Sequence, residues 1–213
     1  MCRDKSLTIL TIFQKLITVF VMSLFILSIM SSLYVESINE IVANADAIAK
    51  SLIGVKYTLW TGDHEKTDDK PEPFYINNIP DNEYIKKHGI NCAGLINIMR
   101  LNSCGNVPGN GNWRGGIESW YNYLKSKEVL KPFDFKQNYP KGTLLLRNYR
   151  DSYDQGHAAV ICDKHDIWLN DNIIHAYNDV SGGKVGITKL GCSHYIIPEG
   201  YYEYAILSED WLY

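Results

Sequence analysis

The chain has 213 residues, 46% of them hydrophobic and 21% charged, and a formal net charge of −3. That composition excludes a disordered or low-complexity chain and supplies enough residues for one well-buried core. With Arg3, Lys5, Lys15 and Asp4 set aside, 18 basic and 23 acidic side chains remain beyond residue 35, with no basic cluster, which argues against a nucleic-acid partner.

The first predicted element is the apolar run LITVFVMSLFILSIMSSLYV, residues 16–35, twenty residues without a charge. At 1.5 Å rise per residue it is long enough to cross a bilayer. Arg3, Lys5 and Lys15 precede it and Glu36 and Glu40 follow, so the positive-inside bias leaves the N-terminus in the cytoplasm and the rest outside it. Residues 1–35 therefore read as a signal-anchor. The rival is a cleaved signal peptide, which would release residues 36–213 as a secreted domain; ANA at 43–45 lies too far downstream to serve as its cleavage site.

Next, Ile38, Ile41, Val42, Ala45, Ile48, Ala49, Leu52 and Ile53 recur at three- and four-residue steps, predicting an amphipathic helix that stops at Gly54. VKYTLW follows as a short extended piece. Residues 61–87, polar and proline-punctuated, read as a long surface insertion. Residues 92–103 predict a second helix with Leu95, Ile96, Met99 and Leu101 on its apolar face, and CGNVPGNGNWRGG (104–116) a loop. GIESWYNYLKSK predicts a third helix whose aromatics Trp120, Tyr121 and Tyr123 belong to the core, while Trp113 in the glycine loop suits a pocket wall. Beyond Pro140 come the β-type runs GTLLLRNY, GHAAVIC, NIIHAY, KVGITKL and YYEYAIL, and SEDWLY closes the chain as a capped turn carrying an aromatic. Helices followed by a meandering antiparallel sheet make an α+β domain.

The cysteines at 2, 92, 104, 162 and 192 form no CxxC pair, so neither a zinc ribbon nor a disulfide scaffold is indicated, and a bridge among Cys104, Cys162 and Cys192 stays open. Cys92 differs from the others in position. It opens a helix, where unsatisfied N–H groups and the helix dipole favour the thiolate and pull its pKa down. Asn91 can cap that helix, Ala93 and Gly94 leave room for a carbonyl, and the Cys92 N–H can serve as an oxyanion donor. An isolated cysteine is ordinarily a small structural hydrophobe, so a base must be found. His157 opens GHAAVIC and His175 lies inside NIIHAY. A hairpin turning near residue 166 would pair positions that sum to about 332, setting the two imidazoles opposite each other, one orienting the other. The remaining histidines, His64, His88, His165 and His194, have no metal-ligand spacing, and no cofactor motif occurs.

In this order, the pieces GVKYTLW, INCAGLI, YPKGTLLL, QGHAAVI and NIIHAY resemble the NlpC and p-sixty superfamily of papain-like cysteine peptidases, over residues 43–180. The resemblance implies a papain-like NlpC-type fold, with Cys92 as nucleophile, His157 as general base and then acid, and His175 as orienting residue. It also implies that Tyr57 sets its hydroxyl near the thiolate or oxyanion. Asn91 stands where the family usually has aspartate and Ala93 where it has serine, and Trp60 falls one residue out of step with the family's tyrosine motif. By the same resemblance the substrate is an amide of peptidoglycan type. Two rivals are a lipid-directed thiol acyltransferase of the same superfamily, whose members usually place histidines ahead of the cysteine, and a catalytically silent binding or scaffold module.

Overall fold

The computed structural model describes residues 4–58, 81–109, 114–134, 136–151, 154–165, 171–177, 183–191 and 201–213, with side chains from residue 15 onward. Cys2, Trp60, His64, Trp113, Cys192, His194 and the hairpin tip at 166 lie outside the described residues. The chain forms two compact units, Met1–Glu40 and Ile41–Tyr213.

The first element is α1, Asp4–Ser51, so the expected membrane segment and the expected amphipathic helix are one helix and not two. No glycine or proline interrupts residues 4–51 to end it. Within the first unit, residues 16–37 are exposed, and the helix is long and apolar enough to cross a membrane, with a mean hydropathy of 2.4 over an 18-residue window. Its serines spend their hydroxyls on their own helix: Ser23 donates to the Val19 carbonyl at 2.9 Å and Ser31 to the Ser28 carbonyl at 2.9 Å. Such back-bonding satisfies a polar side chain where no water is available.

The second unit begins with the last turns of α1, where Val42, Ala45, Ala49 and Leu52 are buried at the expected spacing while Ile53 is exposed. The supposed insertion ends in a helix, α2 (Asn82–His88), capped by Asp81, which accepts from the Tyr84 N–H at 2.7 Å, and anchored by buried Ile85. Then come α3 (Cys92–Cys104) and α4 (Ile117–Ser126). The strands are β1 (Lys131–Pro132), β2 (Leu144–Arg147), β3 (His157–Asp163), β4 (Asn172–Tyr177), β5 (Lys184–Lys189) and β6 (Tyr204–Ile206), and α5 (Ser208–Trp211) follows. Among the described residues the strands form one antiparallel sheet in the order β1-β6-β2-β3-β4-β5. The expected meander holds from β2 to β5, but β6 returns to β2 and does not pair with β5. The architecture is α+β, as expected.

Residues 92–100 of α3 are all buried, so this is a central helix and not an amphipathic one. Its polar members are accordingly satisfied: Asn97 donates to the Gly115 carbonyl at 3.0 Å and accepts from the Trp120 indole at 2.7 Å. Arg100 donates to the carbonyls of Asn106 and Trp211 and to the Tyr123 hydroxyl. Val42, Ala45, Met99, Val160 and Trp211 meet around one small internal space, so α1, α3 and α5 cover the Val160 face of the sheet. Trp211 also donates its indole N–H to the Gly142 carbonyl at 2.8 Å, the aromatic anchor expected of SEDWLY. The opposite face, carrying Leu145, Ala159, Ile161 and Ile173, is covered by Tyr139, Leu190 and Tyr202.

Candidate active site

Beyond β5 the sheet continues through residues 54–58. Gly54 N–H donates to the Val185 carbonyl at 2.9 Å and Val185 N–H to the Val55 carbonyl at 2.8 Å. Tyr57 then pairs in parallel with Ile90, Ile90 N–H donating to the Lys56 carbonyl and Thr58 N–H to the Ile90 carbonyl, both at 3.1 Å. Residue 90 thus stands four strand spacings from β3, about 19 Å in a flat sheet. Cys92, two residues and about 7 Å of chain further on, nevertheless lies close enough to β3 for the Ala158 backbone to bear on its thiol. The sheet is therefore strongly curled, and the curl carries the start of α3 back to β3.

Asn91 caps α3 as expected: extended at φ −106°, it accepts the Gly94 N–H on its side-chain oxygen at 2.7 Å. With that carboxamide bound to Gly94, the N–H groups of Cys92 and Ala93 at the start of the helix favour a negative charge on the Cys92 sulfur. Ala158 supplies a third N–H for a reason of register. Alternate N–H groups of β3 point to opposite neighbours; Ile161 donates towards β2, to the Thr143 carbonyl, so Ala158 faces β4. The β3–β4 ladder, however, starts only at Val160↔Ile174, so at Ala158 it has not begun, and the Ala158 N–H bears on the thiol.

That register corrects the expected pairing. Val160 pairs with Ile174 and Ile161 with Ile173, so partners sum to 334 and not 332, with an irregularity between Ile161 and Asp163. His157 and His175 are consequently diagonal rather than opposite. An offset of two keeps both on the same face. Their rings meet all the same, with His157 Nε2 at 2.9 Å from His175 Nδ1 and planes inclined by 75°. Nε2 of His157 faces His175, so Nδ1 is its ring nitrogen turned away from that pair. His175 Nε2 in turn lies 3.0 Å from the Thr188 hydroxyl, a contact that nothing in KVGITKL announced. Tyr57 is held by its backbone against Ile90, which precedes the cysteine by two residues.

An aromatic and charged wall surrounds the imidazoles. Tyr201 and Tyr202 lie 5.9 and 6.2 Å from the His157 ring, and Tyr177 lies 4.8 Å from that of His175. Arg147, opposite His157 in the β2–β3 register, stacks over Tyr201 at 4.9 Å and pairs with Asp154, while Arg150 pairs with Glu203 at 2.6 Å. The charged loop RNYRDSYDQG thus does stand at the rim.

Burial dominates the electrostatics. Cys92 and His157 are each 5% exposed and His175 0%. Burial pushes the Cys92 thiol up to about 11, against the three N–H groups that pull it down, so the expected low-pKa thiolate is not the resting species. Ala93, itself 2% exposed, fills space instead of opening access to the sulfur. Burial, then His175, then Arg147 hold His157 well below the usual imidazole range, and burial lowers His175 to about 4. At neutral pH Cys92 is a thiol and both imidazoles are uncharged.

Cys92, Cys104 and Cys162 are free thiols. His88 stacks on Tyr84 at 4.3 Å and His165 is exposed; among the described residues no three His, Cys, Asp or Glu side chains gather to hold a metal ion. No protein-family model matches this sequence, and no curated protein or solved structure matches it significantly.

Proposed function

We propose that the chain is a membrane-tethered cysteine amidohydrolase of the NlpC and p-sixty kind, acting outside the cytoplasm on an amide of peptidoglycan type. The observation that supports this reading is a buried thiol at the first position of α3, on which the Ala158 backbone bears, with a 2.9 Å imidazole pair that begins at the residue before Ala158 on β3. In the proposed cycle His157 Nδ1 takes the thiol proton as Sγ bonds to the substrate carbonyl carbon, and the carbonyl π pair moves onto oxygen. The N–H groups of Cys92 and Ala93, and the Tyr57 hydroxyl, are the candidate donors to that oxyanion. Collapse of the tetrahedral intermediate breaks the C–N bond, and His157 returns its proton to the departing amine. Water, deprotonated by His157, then cleaves the thioester and restores the thiol. His175 orients His157 and supports its transient positive charge.

The long apolar helix favours one alternative, a thiol acyl-transfer enzyme acting on lipid. Both readings are tested by incubating the full chain in detergent micelles with muropeptides and, separately, with phospholipids, followed by mass spectrometry. Amide cleavage that disappears in Cys92→Ala is expected. Cys92-dependent phospholipid turnover without amide cleavage would replace the amidohydrolase by the lipid enzyme, and turnover that survives Cys92→Ala would remove both.

A further inference from the structure

We propose that Thr188 is a positioning residue of this site: by accepting the Nε2–H of His175 it selects the tautomer that leaves His157 Nδ1 bare to take the thiol proton. The inference rests on the base role assigned to His157 above and extends it by one residue.

Thr188 reaches His175 through strand geometry. In the β4–β5 ladder His175 faces Gly186, and Thr188, opposite Ile173, is its diagonal neighbour on the same face. Gly186 presents no side chain there. A Cβ at that position would meet the Tyr177 ring at 3.1 Å, so Tyr177 occupies the space above the glycine and His175 leans the other way, to the Thr188 hydroxyl at 3.0 Å. The contacts of His175 with His157 and with Thr188 are thus both diagonal steps across the sheet.

A neutral imidazole carries one N–H and one lone pair, so protons along this row can be arranged in only two ways. In one, Thr188 donates its hydroxyl proton to His175 Nε2, His175 donates Nδ1–H to His157 Nε2, and the His157 proton sits on Nδ1, where it blocks the base. In the other, every donor is reversed: His157 Nε2–H donates to His175 Nδ1, His175 Nε2–H donates to Thr188, and His157 Nδ1 is bare. Two features select the second. Burial keeps Cys92 in the thiol form at neutral pH, so it has a proton to give and does not call for a donor from His157. Thr188 is only half-buried, so its hydroxyl can pass its proton to solvent while accepting from the fully buried His175. Once His157 becomes imidazolium, only the second arrangement lets its Nε2–H donate to His175 without a collision of protons.

The test compares wild type, Thr188→Val, Thr188→Ser and His157→Ala as full chains in micelles. Alkylation of Cys92 by iodoacetamide is followed from pH 5 to 10 by peptide mass spectrometry, with thermal unfolding alongside. Thr188→Val, which keeps the shape but loses the acceptor, is expected to label about 10- to 100-fold more slowly at neutral pH, with Thr188→Ser close to wild type. If Thr188→Val labels like wild type while His157→Ala is slow, the Thr188 role is wrong and the base role stands. If neither variant is slow, both fall. A readout that does not depend on the variants folding is the 15N signature of His175 in wild type: a proton on Nε2 supports the proposal, and a proton on Nδ1 overturns it.

Discussion

The two ends of β3 each hold a buried thiol, and they are built in opposite senses. At the far end Cys162 donates to the Asn172 carbonyl at 3.3 Å and sits among Asp163, Asp46 and Lys50; burial first, and then Asp163, push its thiol up to about 12. There the β3–β4 ladder is closed, and Asp163 is tied to Lys50 at 3.1 Å. At the near end the ladder has not yet begun, the groups that bear on the Cys92 thiol are backbone N–H groups in place of carbonyl and carboxylate oxygens, and the imidazole pair begins at the residue before Ala158. Burial raises both thiols by the same mechanism, so burial cannot tell a nucleophile from a structural cysteine. The polarity of the neighbouring groups differs: oxygens around Cys162 oppose a thiolate, whereas the N–H groups near Cys92 favour its charge, and in the proposed mechanism His157 would receive its proton.

The contrast breaks most sharply on removing the base. In His157→Ala, iodoacetamide labelling of Cys92 at pH 7 should fall about 100-fold or more, while labelling of Cys162 in the same molecules stays as in wild type, both read by peptide mass spectrometry. Equal slowing at both sites would mean that the substitution loosened or closed the whole sheet.

A smaller effect follows from the lowered imidazoles. His175 titrates at about 4 in the folded chain against about 6.5 when unfolded. The unfolded chain therefore binds more protons between these values. Stability is full above pH 6.5 and is lost as pH falls towards 4, by about 1.4 kcal/mol per pH unit for this one residue. Urea unfolding between pH 4 and 7 measures that slope; His175→Gln should flatten it, and exchanging Cys162 for Ala should leave it unchanged.

The cap is next in size. Asn91→Ala removes the acceptor of the Gly94 N–H and should cost about 1–2 kcal/mol in urea unfolding, slowing Cys92 labelling but not that of Cys162. Asn91→Asp, which keeps the oxygen, should retain the stability. The smallest effect belongs to the closed end. The Lys50–Asp163 pair is more than a third exposed on both sides, so Asp163→Asn should change stability by less than about 1 kcal/mol. It should nonetheless ease Cys162 towards the thiolate and raise its labelling at high pH, with Cys92 untouched.

How far these two ends could be read beforehand follows from the range of each signal. The helix at 92, its Asn91 cap and the strands carrying His157 and His175 are written in local patterns of three to seven residues, and those elements were legible. The pairing of the histidines was off by two because the irregularity near Cys162 and the place of the turn leave no mark in the sequence, yet side-chain parity survived the error. α2 was hidden by the polarity of residues 61–87, in which Ile85 is its only buried side chain. The return of β6 to β2 is a long-range choice that no local pattern encodes. The same is true of the direction of the Cys92 pKa: a helix N-terminus pulls it down, but the depth of burial that reverses the sign arises only when the sheet curls.

The central claim is that Cys92 reacts through a neighbouring imidazole, and the pH profile of alkylation in the wild-type chain tests it most directly. With Cys92 and Cys162 followed in one sample, the account predicts a plateau for Cys92 through neutral pH. That plateau should fall off only well below pH 6.5 as His157 charges, and rise again towards pH 11, whereas Cys162 should climb steadily towards about pH 12 with no plateau. Two parallel curves, both rising only in the alkaline range, would contradict it.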